Sequence, residues 1–448
     1  MRYDLAVIGS GQGGVPLALD FASRGKRVVV FERNKLGGTC VNVGCTPSKA
    51  FLASAHAAGR ARRATDVHVH CDVRPDVPAV MRRVQSVVAD WHDGVAAKFA
   101  RSAVELVRAE ASFDAPHVLR ADGEVYEAAQ VVLDTGAHAS LPPLEGLAGM
   151  PYLTNENFFL QETLPKKLIV LGSGYIGLEL GQGAARLGSE VVVVTPDDRL
   201  IAREETDVCG VLTASFERDG ITTILNRKAT KVAYGAGTFR ITLSDGTTLT
   251  GDGLLIAIGR RPNIPAGAVE RAGIALDARG FVRCDEHLQT TVPDHYALGD
   301  VAGQPQFTHV SWEDFRRLKA ILAGDLSRTR ADRVLAYAMY TEPQVGRVGL
   351  SAEEAAAQGR PHRVVTLQLA DVARGIEWAL TDGFFRLVVD SATDAILGAT
   401  FIGYEAGELI HVILAHMEAG STWRVLERSV HVHPLFAEGL PSLARLLL

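Results

Sequence analysis

The sequence predicts an α/β protein with two doubly wound, Rossmann-like nucleotide-binding units and a C-terminal α+β unit. Three observations predict this fold class. An apolar strand, a glycine-rich turn and a helix open the chain at Leu5, and the same pattern recurs at Leu168. From about Leu335 the pattern changes to separate apolar or alternating strands and a helical stretch over 407–419, which is typical of an α+β unit.

The first glycine-rich turn has the features of a dinucleotide site. Strand 5–8 leads directly into the run GSGQGG, which opens a helix. Gly9 allows a tight turn, Gly11 lets backbone amides approach a pyrophosphate, and Gly14 allows close packing of helix and strand. The next strand ends at Glu32, 18 residues after Gly14, where a carboxylate can accept hydrogen bonds from an adenosine ribose. A bound dinucleotide is therefore expected here.

A second dinucleotide site is predicted at 172–177, where strand 168–171 leads into the run GSGYIG. The following strand is succeeded by Thr195 and not by an acidic residue, so the usual carboxylate for a ribose 2′-hydroxyl is missing. Without this carboxylate there is less electrostatic repulsion of the 2′-phosphate of NADPH, and Arg199 or Arg203 could pair with that phosphate. The alternative is that both arginines are solvated at the surface. On this ground alone the sequence favours NADPH over NADH.

Two cysteines with four residues between them, beside the first dinucleotide site, predict a redox-active disulfide. A helix that begins near Cys45 would direct its positive end at that sulfur and lower its pKa. A zinc site would need Cys-x-x-Cys and a second pair, and a static disulfide would fit an oxidising compartment that no secretory signal indicates. The predicted redox pair is therefore Cys40 and Cys45. The other three cysteines, Cys71, Cys209 and Cys284, are far apart in the sequence, and we assign them no function.

Composition and charge exclude several classes of partner. The chain of 448 residues has a net charge of −6 and no lysine- or arginine-rich block, so neither nucleic acid nor an anionic membrane is an expected partner. No apolar stretch approaches membrane-spanning length, and the strand that begins at Leu5 leaves no room for a signal peptide. We therefore expect a soluble, cytoplasmic enzyme.

Two segments interrupt regular structure and predict domain boundaries. They are LPPLEG at 141–146 and GRRPN at 259–263. After the second, the stretch 296–300 reads as a strand that ends in a carboxylate, so we expect the chain to return to the first unit there. The predicted domains are a first nucleotide unit over 1–147, a second, inserted unit over 148–264, a return to the first over 265–334, and the α+β unit over 335–448.

Over essentially its whole length the chain resembles the flavoprotein pyridine-nucleotide disulfide oxidoreductases, which include glutathione reductase, dihydrolipoamide dehydrogenase and mercuric reductase. Seven motifs carry the resemblance, in the order in which the family has them. They are Gly9 to Gly14 with Glu32, Cys40 to Lys49, Thr135-Gly136, Gly172 to Glu179, Gly299-Asp300, Glu342 to Gly349, and His431-Val432-His433-Pro434 with Glu438.

The resemblance implies that the first nucleotide is FAD and the second NADPH or NADH. Electrons would pass from the nicotinamide to the flavin and then to the disulfide, with Cys45 nearer the flavin and Cys40 as the exchanging thiol. Lys49 and Glu179 match the ion pair beside the flavin ring, and Tyr175 matches the tyrosine that covers the nicotinamide pocket. The implied cofactor-binding positions are Gly9, Gly11, Gly14, Glu32, Thr39, Lys49, Thr135, Gly136, Gly172, Gly174, Tyr175, Gly177, Glu179, Arg199, Gly259 and Asp300.

His433 and Glu438 match the family's catalytic base and the carboxylate that orients it. The base would generate the Cys40 thiolate that attacks the acceptor. In the family these residues reach the disulfide from the other subunit, so the resemblance implies a homodimer, built on the C-terminal domain, with the active site completed across the interface. For the residues alone, the alternative is an ordinary surface strand.

Three other histidines, His68, His70 and His309, are given no catalytic role. His68 and His70, with Cys71 adjacent, could suggest a metal site, but no fourth ligand is near, so a solvated loop or strand is favoured and we expect no bound metal. His309 follows Asp300 closely and falls near the expected flavin, although the sequence does not orient its ring.

Departures from the better-known members narrow the expected activity. No cysteine follows Cys284, whereas mercuric reductases carry a C-terminal cysteine pair, and this chain keeps the histidine at 433 that they lack. The segment 304–311 is similar to mercuric-reductase-like bacterial proteins of oxidant or metal stress. We expect an NAD(P)H oxidoreductase that reduces a disulfide, a metal ion or another small-molecule oxidant. The alternatives are a dihydrolipoamide dehydrogenase and, in a different class, a slow flavin redox sensor.

Overall fold

The computed structural model of the chain describes residues 2–448 and confirms the predicted fold class. The first strands are buried on both faces, which explains why their sequences are nearly continuous apolar runs. The first elements are β1 (Arg2–Ile8), α1 (Gly14–Ser23), β2 (Val28–Phe31), α2 (Gly38–Val43), α3 (Cys45–Arg63), α4 (Val77–Ala100), β3 (Glu105–Val107), β4 (Ser112–Ala115), β5 (Val118–Ala121), β6 (Glu124–Leu133) and β7 (Ala137–Ala139).

The middle of the chain repeats the strand, turn and helix pattern before it returns to the first sheet. Its elements are β8 (Lys167–Leu171), α5 (Tyr175–Arg186), β9 (Glu190–Val194), α6 (Thr206–Arg218), β10 (Thr222–Ile224), β11 (Ala229–Gly235), β12 (Thr238–Leu243), β13 (Thr248–Gly251), β14 (Gly253–Ile256), β15 (Arg260–Pro262), β16 (His295–Ala297) and α7 (Thr308–Leu322).

The C-terminal part alternates antiparallel strands with helices. Its elements are β17 (Ala336–Met339), β18 (Gln344–Gly349), α8 (Ala352–Ala357), β19 (His362–Gln368), α9 (Ala373–Glu377), β20 (Phe384–Asp390), β21 (Ile396–Gly403), α10 (Ala406–Glu418), α11 (Trp423–Arg428) and α12 (Gly439–Arg445). Short 3₁₀ helices cover Ala64–Val67, Phe158–Leu160, Gly299–Ala302, Arg330–Asp332, Leu369–Asp371 and Phe436–Glu438.

The two nucleotide-type sheets are largely parallel. Within residues 2–448 the largest sheet has seven strands, in the order β3-β2-β1-β6-β5-β4, with β16 also paired to β6. Strand β16 runs parallel to β6, so the chain leaves this sheet and returns to it much later. The second sheet has the parallel order β10-β9-β8-β14. Both glycine-rich turns follow the carboxyl ends of β1 and β8, the edge at which such sheets bind ligands.

One segment expected to be irregular forms a strand. Residues 260–262 constitute β15, which pairs antiparallel with β7, Arg260 opposite Ala139 and Pro262 opposite Ala137. Pro262 is tolerated because this ribbon has only two strands, so its missing N–H interrupts no central ladder. The segments that leave and re-enter the first nucleotide unit are therefore tied together.

The C-terminal sheet is antiparallel, in the order β17-β18-β21-β20-β19. All of β21 is buried, and the apolar face of α10 packs into the same core through Ile410 and Ile413. This sheet matches the strands predicted for the α+β unit. Across residues 2–448, no helix combines the length and apolar character needed to traverse a bilayer.

Candidate active site

A cleft of about 2320 Å³ brings most of the predicted site residues together. Both glycine-rich turns and the cysteine pair open onto it, which places two dinucleotide-type sites and two thiols in one space. The predicted positions that line it are Gly9, Gly11, Glu32, Thr39, Cys40, Cys45, Lys49, Thr135, Gly136, Gly172, Gly174, Tyr175, Glu179, Gly259 and Asp300, together with Arg203 and His309.

The first glycine turn packs closely against Asp134, which follows β6. Gly9 has φ +104°, and a Cβ on it would come within 2.3 Å of the Asp134 carbonyl oxygen. The backbone N–H of Gly14, behind the cleft, donates to Asp134 Oδ2 at 2.7 Å. Glu32 is buried at the end of β2, where its Oε2 accepts hydrogen bonds from the N–H of Ser10 at 3.0 Å and the hydroxyl at 2.6 Å. The turn and the carboxylate are thus held in one rigid arrangement.

The second glycine turn leaves room for a ligand at the start of α5. A Cβ on Gly174 would meet no protein atom within 4 Å, so this backbone faces open cleft. Gly177 lies behind it, where a Cβ would approach the Gly172 carbonyl oxygen to 2.4 Å. The open space at a helix N-terminus fits a pyrophosphate.

The residues after β9 differ from the arrangement expected for NADPH. Thr195 is buried, accepts from Ser173 at 3.1 Å and donates to Asp197 Oδ2 at 3.1 Å. Asp197 lines the cleft, but Arg199 does not, because its guanidinium donates to Asp198 and to the Ala202 carbonyl oxygen. Arg203, the other arginine proposed for a 2′-phosphate, does line the cleft. Its guanidinium carbon lies 5.5 Å from the ring centroid of Tyr175, at the start of α5.

The cysteine pair spans the break between two helices. Cys40 lies within α2, and Cys45 is the first residue of α3, so the predicted helix begins at that residue. Both are free thiols in this structure. The Cys45 sulfur lies 3.1 Å from the hydroxyl of Thr308, the first residue of α7.

The two thiols are electrostatically unequal. A hydrogen bond from the Cys40 thiol lowers the pKa of Cys45 to about 6, and the Thr308 hydroxyl and the Lys49 ammonium add to this effect against the cost of burial. The same hydrogen bond, reinforced by burial, raises the pKa of Cys40. In the reduced pair the negative charge therefore resides on Cys45, and Cys40 needs a base before it can act as a nucleophile.

An ion pair lies beside the thiols. Lys49 Nζ is 2.9 Å from Glu179 Oε2 and 4.2 Å from the ring centroid of Tyr340. Glu179 is buried, and its other oxygen accepts from the Tyr340 N–H at 2.9 Å. Burial alone would lower the pKa of Lys49, but the Glu179 carboxylate outweighs it and the pKa is raised. Lys49 therefore carries a positive charge on the cleft wall.

Polar atoms without partners mark the part of the cleft near Asp300. Asp300 Oδ2 is 2.5 Å from Arg260 Nη1. Arg260 Nε and Gln304 Nε2 are buried and make no hydrogen bond, and both residues line the cleft. Unpaired buried donors of this kind fit a polar ligand. The first glycine turn, Glu32, Asp300 and these donors thus fit FAD, and the open second turn at Gly174 fits NAD(P)H.

His309 is held beside this wall by its neighbours. Its Nε2 is 2.7 Å from the Ala336 carbonyl oxygen, and its ring stacks on Phe307 with centroids 5.4 Å apart. Burial lowers its pKa.

His433 and Glu438 form a pair that one chain does not bring to the cysteines. His433 Nδ1 is 2.7 Å from Glu438 Oε2, and neither residue lines the cleft. The His433 side chain is 72% exposed. The pair is therefore assembled but lies outside the cleft that contains Cys40 of its own chain.

No metal site is evident among residues 2–448, because no group of three or more His, Cys, Asp or Glu side chains is placed to hold an ion. His68, His70 and Cys71 are exposed and follow the 3₁₀ helix Ala64–Val67 as loop residues.

Two residues that line the cleft were not predicted from the sequence. Thr308 touches Cys45, and a threonine that opens an apolar-periodic helix after Pro305 was a usable signal for the start of α7. Tyr340 supports the ion pair through its backbone and ring, and no local pattern identifies it, since it reaches Lys49 from a distant segment.

Comparisons with known proteins agree with this geometry. The model of the pyridine nucleotide-disulphide oxidoreductase family matches residues 3–314, and that of the family's dimerisation domain matches 335–444. The chain is 31% identical to a dihydrolipoyl dehydrogenase of Thermus scotoductus (99% of this chain, 97% of the relative) and 33% identical to a mercuric reductase of Acidithiobacillus ferrooxidans (98% and 82%). It is 30% identical to the probable pyridine nucleotide-disulfide oxidoreductase RclA of Escherichia coli (100% and 99%).

A solved structure is similar over the whole length. The Cu(II) complex of the HOCl-induced flavoprotein disulfide reductase RclA from Escherichia coli superimposes with a TM-score of 0.91 at 29% identity and covers 100% of both chains. These findings confirm the predicted family and the requirement for FAD and NAD(P)H, and the C-terminal match indicates a homodimer. The chain belongs to the pyridine nucleotide-disulphide oxidoreductase family of flavoenzymes.

Proposed function

We propose that this protein passes electrons from a reduced nicotinamide, through FAD and the Cys40–Cys45 pair, to an external disulfide, metal ion or other small-molecule oxidant. The observation that carries the proposal is the cleft itself, in which Cys45, the Lys49–Glu179 pair and both glycine turns share one space. For a disulfide acceptor the balance is NADH + H⁺ + RSSR → NAD⁺ + 2 RSH. Bound FAD would supply the relay between hydride and thiol chemistry.

Residues near the expected positions of the flavin and nicotinamide rings have distinct roles in this proposal. Lys49, charged and oriented by Glu179, stabilises negative charge on its neighbours, including the Cys45 thiolate. Tyr175 covers the nicotinamide pocket. The FAD-binding domain would comprise 1–147, with the chain returning to it over 265–334, the inserted NAD(P)H-binding domain 148–264 and the C-terminal interface domain 335–448. We further propose a cytoplasmic location.

The proton step is assigned to His433 of a second subunit. Because Glu438 accepts from Nδ1, the neutral imidazole keeps its Nε2 free to remove the Cys40 proton. Cys40 needs this help, since its pKa is raised. The Cys40 thiolate attacks a disulfide acceptor and forms a mixed disulfide, and the first RS⁻ leaves and takes the proton back from His433 as RSH. The Cys45 thiolate then attacks the Cys40 sulfur, which closes the Cys40–Cys45 disulfide and releases the second RS⁻, to be protonated from water.

We further propose NADH as the preferred donor, against the preference for NADPH drawn from the sequence. Asp197 is the charged residue next to Thr195 on the cleft wall, and a carboxylate there repels a 2′-phosphate but accepts from a 2′-hydroxyl. The ratio of kcat/KM for NADH and NADPH tests this. Asp197→Arg should shift the ratio at least about tenfold toward NADPH, whereas Asp198→Arg, next to it but outside the cleft lining, should not.

The electron acceptor is inferred from the relatives and from the cysteine content. Relatives include a mercuric reductase and an HOCl-induced disulfide reductase with bound Cu(II), which favours a metal ion or an oxidant-derived disulfide. Because no cysteine follows Cys284, a C-terminal thiol relay for Hg(II) is absent from this sequence. A dihydrolipoyl dehydrogenase that is 31% identical, compared with 33% for the mercuric reductase, supports the alternative of dihydrolipoamide oxidation.

An acceptor screen decides between these activities. Purified holoenzyme is reduced with NADH or NADPH and mixed with Cu(II), Hg(II), lipoamide or glutathione disulfide, and reoxidation is followed by stopped flow. Rapid reoxidation by a metal ion or disulfide supports the proposal. Efficient NAD⁺-dependent oxidation of dihydrolipoamide would assign the dehydrogenase activity instead, and slow reoxidation by every acceptor would assign a redox sensor.

A further inference from the structure

The hydroxyl of Tyr175 is bonded to a buried carboxylate behind the cleft wall. Tyr175 Oη donates to Glu204 Oε1 at 2.8 Å, and Tyr337 Oη donates to the same oxygen at 2.9 Å. Glu204 is 1% exposed. Burial raises the pKa of both phenols, that of Tyr337 to about 12, so both remain protonated donors at neutral pH. One carboxylate oxygen therefore receives two phenolic hydrogen bonds.

A buried arginine balances the charge of this carboxylate. Arg347 Nη1 lies 3.4 Å from Glu204 Oε2 and 3.1 Å from Tyr337 Oη, and Arg347 is 4% exposed. Glu204 would consequently keep an ion pair and a phenolic hydrogen bond if Tyr175 moved away. This matters because an uncompensated buried carboxylate would be too costly to permit such a movement.

The two phenols occupy different places relative to the cleft. Tyr175 lines it at the start of α5, with its ring centroid 6.1 Å from that of Phe307, which also lines the cleft. Tyr337 belongs to β17 of the C-terminal sheet and does not line the cleft. Arg203 lies over both rings, at 5.5 and 5.9 Å from their centroids. The two phenolic hydrogen bonds to Glu204 therefore connect the cleft wall, through Tyr175, with the C-terminal sheet, through Tyr337.

We propose that Glu204 is a positioning residue that holds Tyr175 closed over the nicotinamide pocket, so that the donor must break the Tyr175–Glu204 hydrogen bond to enter. The proposal rests on the role given to Tyr175 above. Tyr337 and Arg347 serve as the fixed part of the latch, because they hold Glu204 whether or not Tyr175 is bound to it. Donor affinity is thus set partly by residues that never touch the donor.

Two phenylalanine variants test the latch in the holoenzyme. Tyr175→Phe removes the hydroxyl but keeps the ring, and Tyr337→Phe removes the same kind of bond to the same oxygen outside the cleft. The dissociation constants of NAD⁺ and NADP⁺ are measured by calorimetry, which needs no turnover. We expect Tyr175→Phe to tighten binding of the preferred nucleotide about 3- to 10-fold and to lower the KM for the reduced nucleotide by a similar factor. Tyr337→Phe should leave binding within about twofold.

Glu204→Gln gives a further check, with tighter nucleotide binding as the expected result. Arg347 would keep Glu354 as its counter-charge; if the loss of Glu204 nevertheless prevents folding, the two phenylalanine variants decide. Equal affinity in wild type and Tyr175→Phe, or equal tightening in both phenylalanine variants, overturns the latch. If the variants bind nucleotide like the wild type but NADH reduces the flavin normally, the latch is overturned and the proposed function stands. If neither NADH nor NADPH reduces the flavin of the wild-type enzyme, both proposals are overturned.

Discussion

The hydroxyl of Thr308 lies 3.1 Å from the sulfur of Cys45, and the two residues open the helices α7 and α3. Two helix N-termini therefore meet at one sulfur, although 263 residues separate them in the chain. Each N-terminus carries partial positive charge, which favours a thiolate over a thiol. The asymmetry between Cys45 and Cys40 follows from this meeting point together with the nearby Lys49.

We predict that the two cysteines differ in a spectroscopic test. Cys40→Ser should show long-wavelength absorption from the Cys45 thiolate beside oxidised flavin, because the charge resides on Cys45. Cys45→Ser should retain FAD and lose that absorption on addition of NADH. The measurement is a visible spectrum of each variant before and after reduction. Absorption that persists in Cys45→Ser would assign the flavin-proximal role to the other sulfur.

We predict a pH dependence for the Cys45 thiolate that Thr308 sets in part. Since the pKa of Cys45 is lowered to about 6 from its usual 9.0, the thiolate absorption should be full at neutral pH and be lost as pH falls through that value. In the reduced enzyme with both cysteines intact, Thr308→Val should move the midpoint upward, because it removes a hydrogen bond to the thiolate. Thr308→Ser keeps the hydroxyl and should leave the midpoint in place. Equal midpoints for Val and Ser would exclude Thr308 from this role.

The sequence predicted what short-range patterns encode. The turn at Gly9, the helix start at Cys45 and the carboxylate at Glu32 follow from glycine spacing, strand length and helix polarity, all of which act within about 25 residues. The part that it did not predict depends on long-range contacts. Arg199 has a suitable spacing but bonds to Asp198, and Tyr340 reaches Lys49 from a remote strand connection.

We predict that His433→Ala separates the two half-reactions. Reduction of the flavin by NADH should proceed at nearly the wild-type rate, while reoxidation by the acceptor slows about 100-fold or more, the usual contribution of a general base. Stopped-flow measurement of both steps checks this. Glu438→Gln should show a smaller effect in the same step, because the imidazole remains but loses its orienting charge. Equal slowing of both steps would remove His433 as the base for Cys40.

We predict that hybrid dimers show where His433 acts. A dimer with Cys40→Ser in one chain and His433→Ala in the other carries either one intact site or none, depending on whether the base comes from the partner. If it comes from the partner, one site keeps both Cys40 and His433 and about half of the activity remains. If the base came from the same chain, both sites would be defective. Tagged co-expression and an acceptor assay distinguish the two outcomes.

The buried carboxylate of Glu342 contacts a cluster of three arginines that contribute to the stability of the fold. Its carboxylate is 2.8 Å from Arg60 Nε and 2.8 Å from Arg63 Nη2, and it also contacts the buried Arg186. The cluster joins α3 and α5 to the residues that precede β18. Glu342→Gln removes one of the two carboxylates that pair with buried Arg186, the other being Asp219 at 2.8 Å. It should lower the free energy of unfolding by about 1–3 kcal/mol, less than the cost of a fully uncompensated buried charge. Asp382→Asn, in an exposed pair with Arg218, should cost less than about 1 kcal/mol.

The effect of Glu342 should depend on pH in a defined direction. Burial would raise the pKa of Glu342, but the arginines, Arg186 first, outweigh it and the pKa is lowered from its usual 4.5. A lowered carboxylate pKa stabilises the folded state above the unfolded pKa, and this stabilisation is lost as pH falls through the folded value. The difference in urea midpoint between wild type and Glu342→Gln should therefore be largest near neutral pH and narrow below about pH 4.5. A difference that stays constant between pH 7 and pH 4 would show that Glu342 contributes through packing and hydrogen bonds and not through its charge.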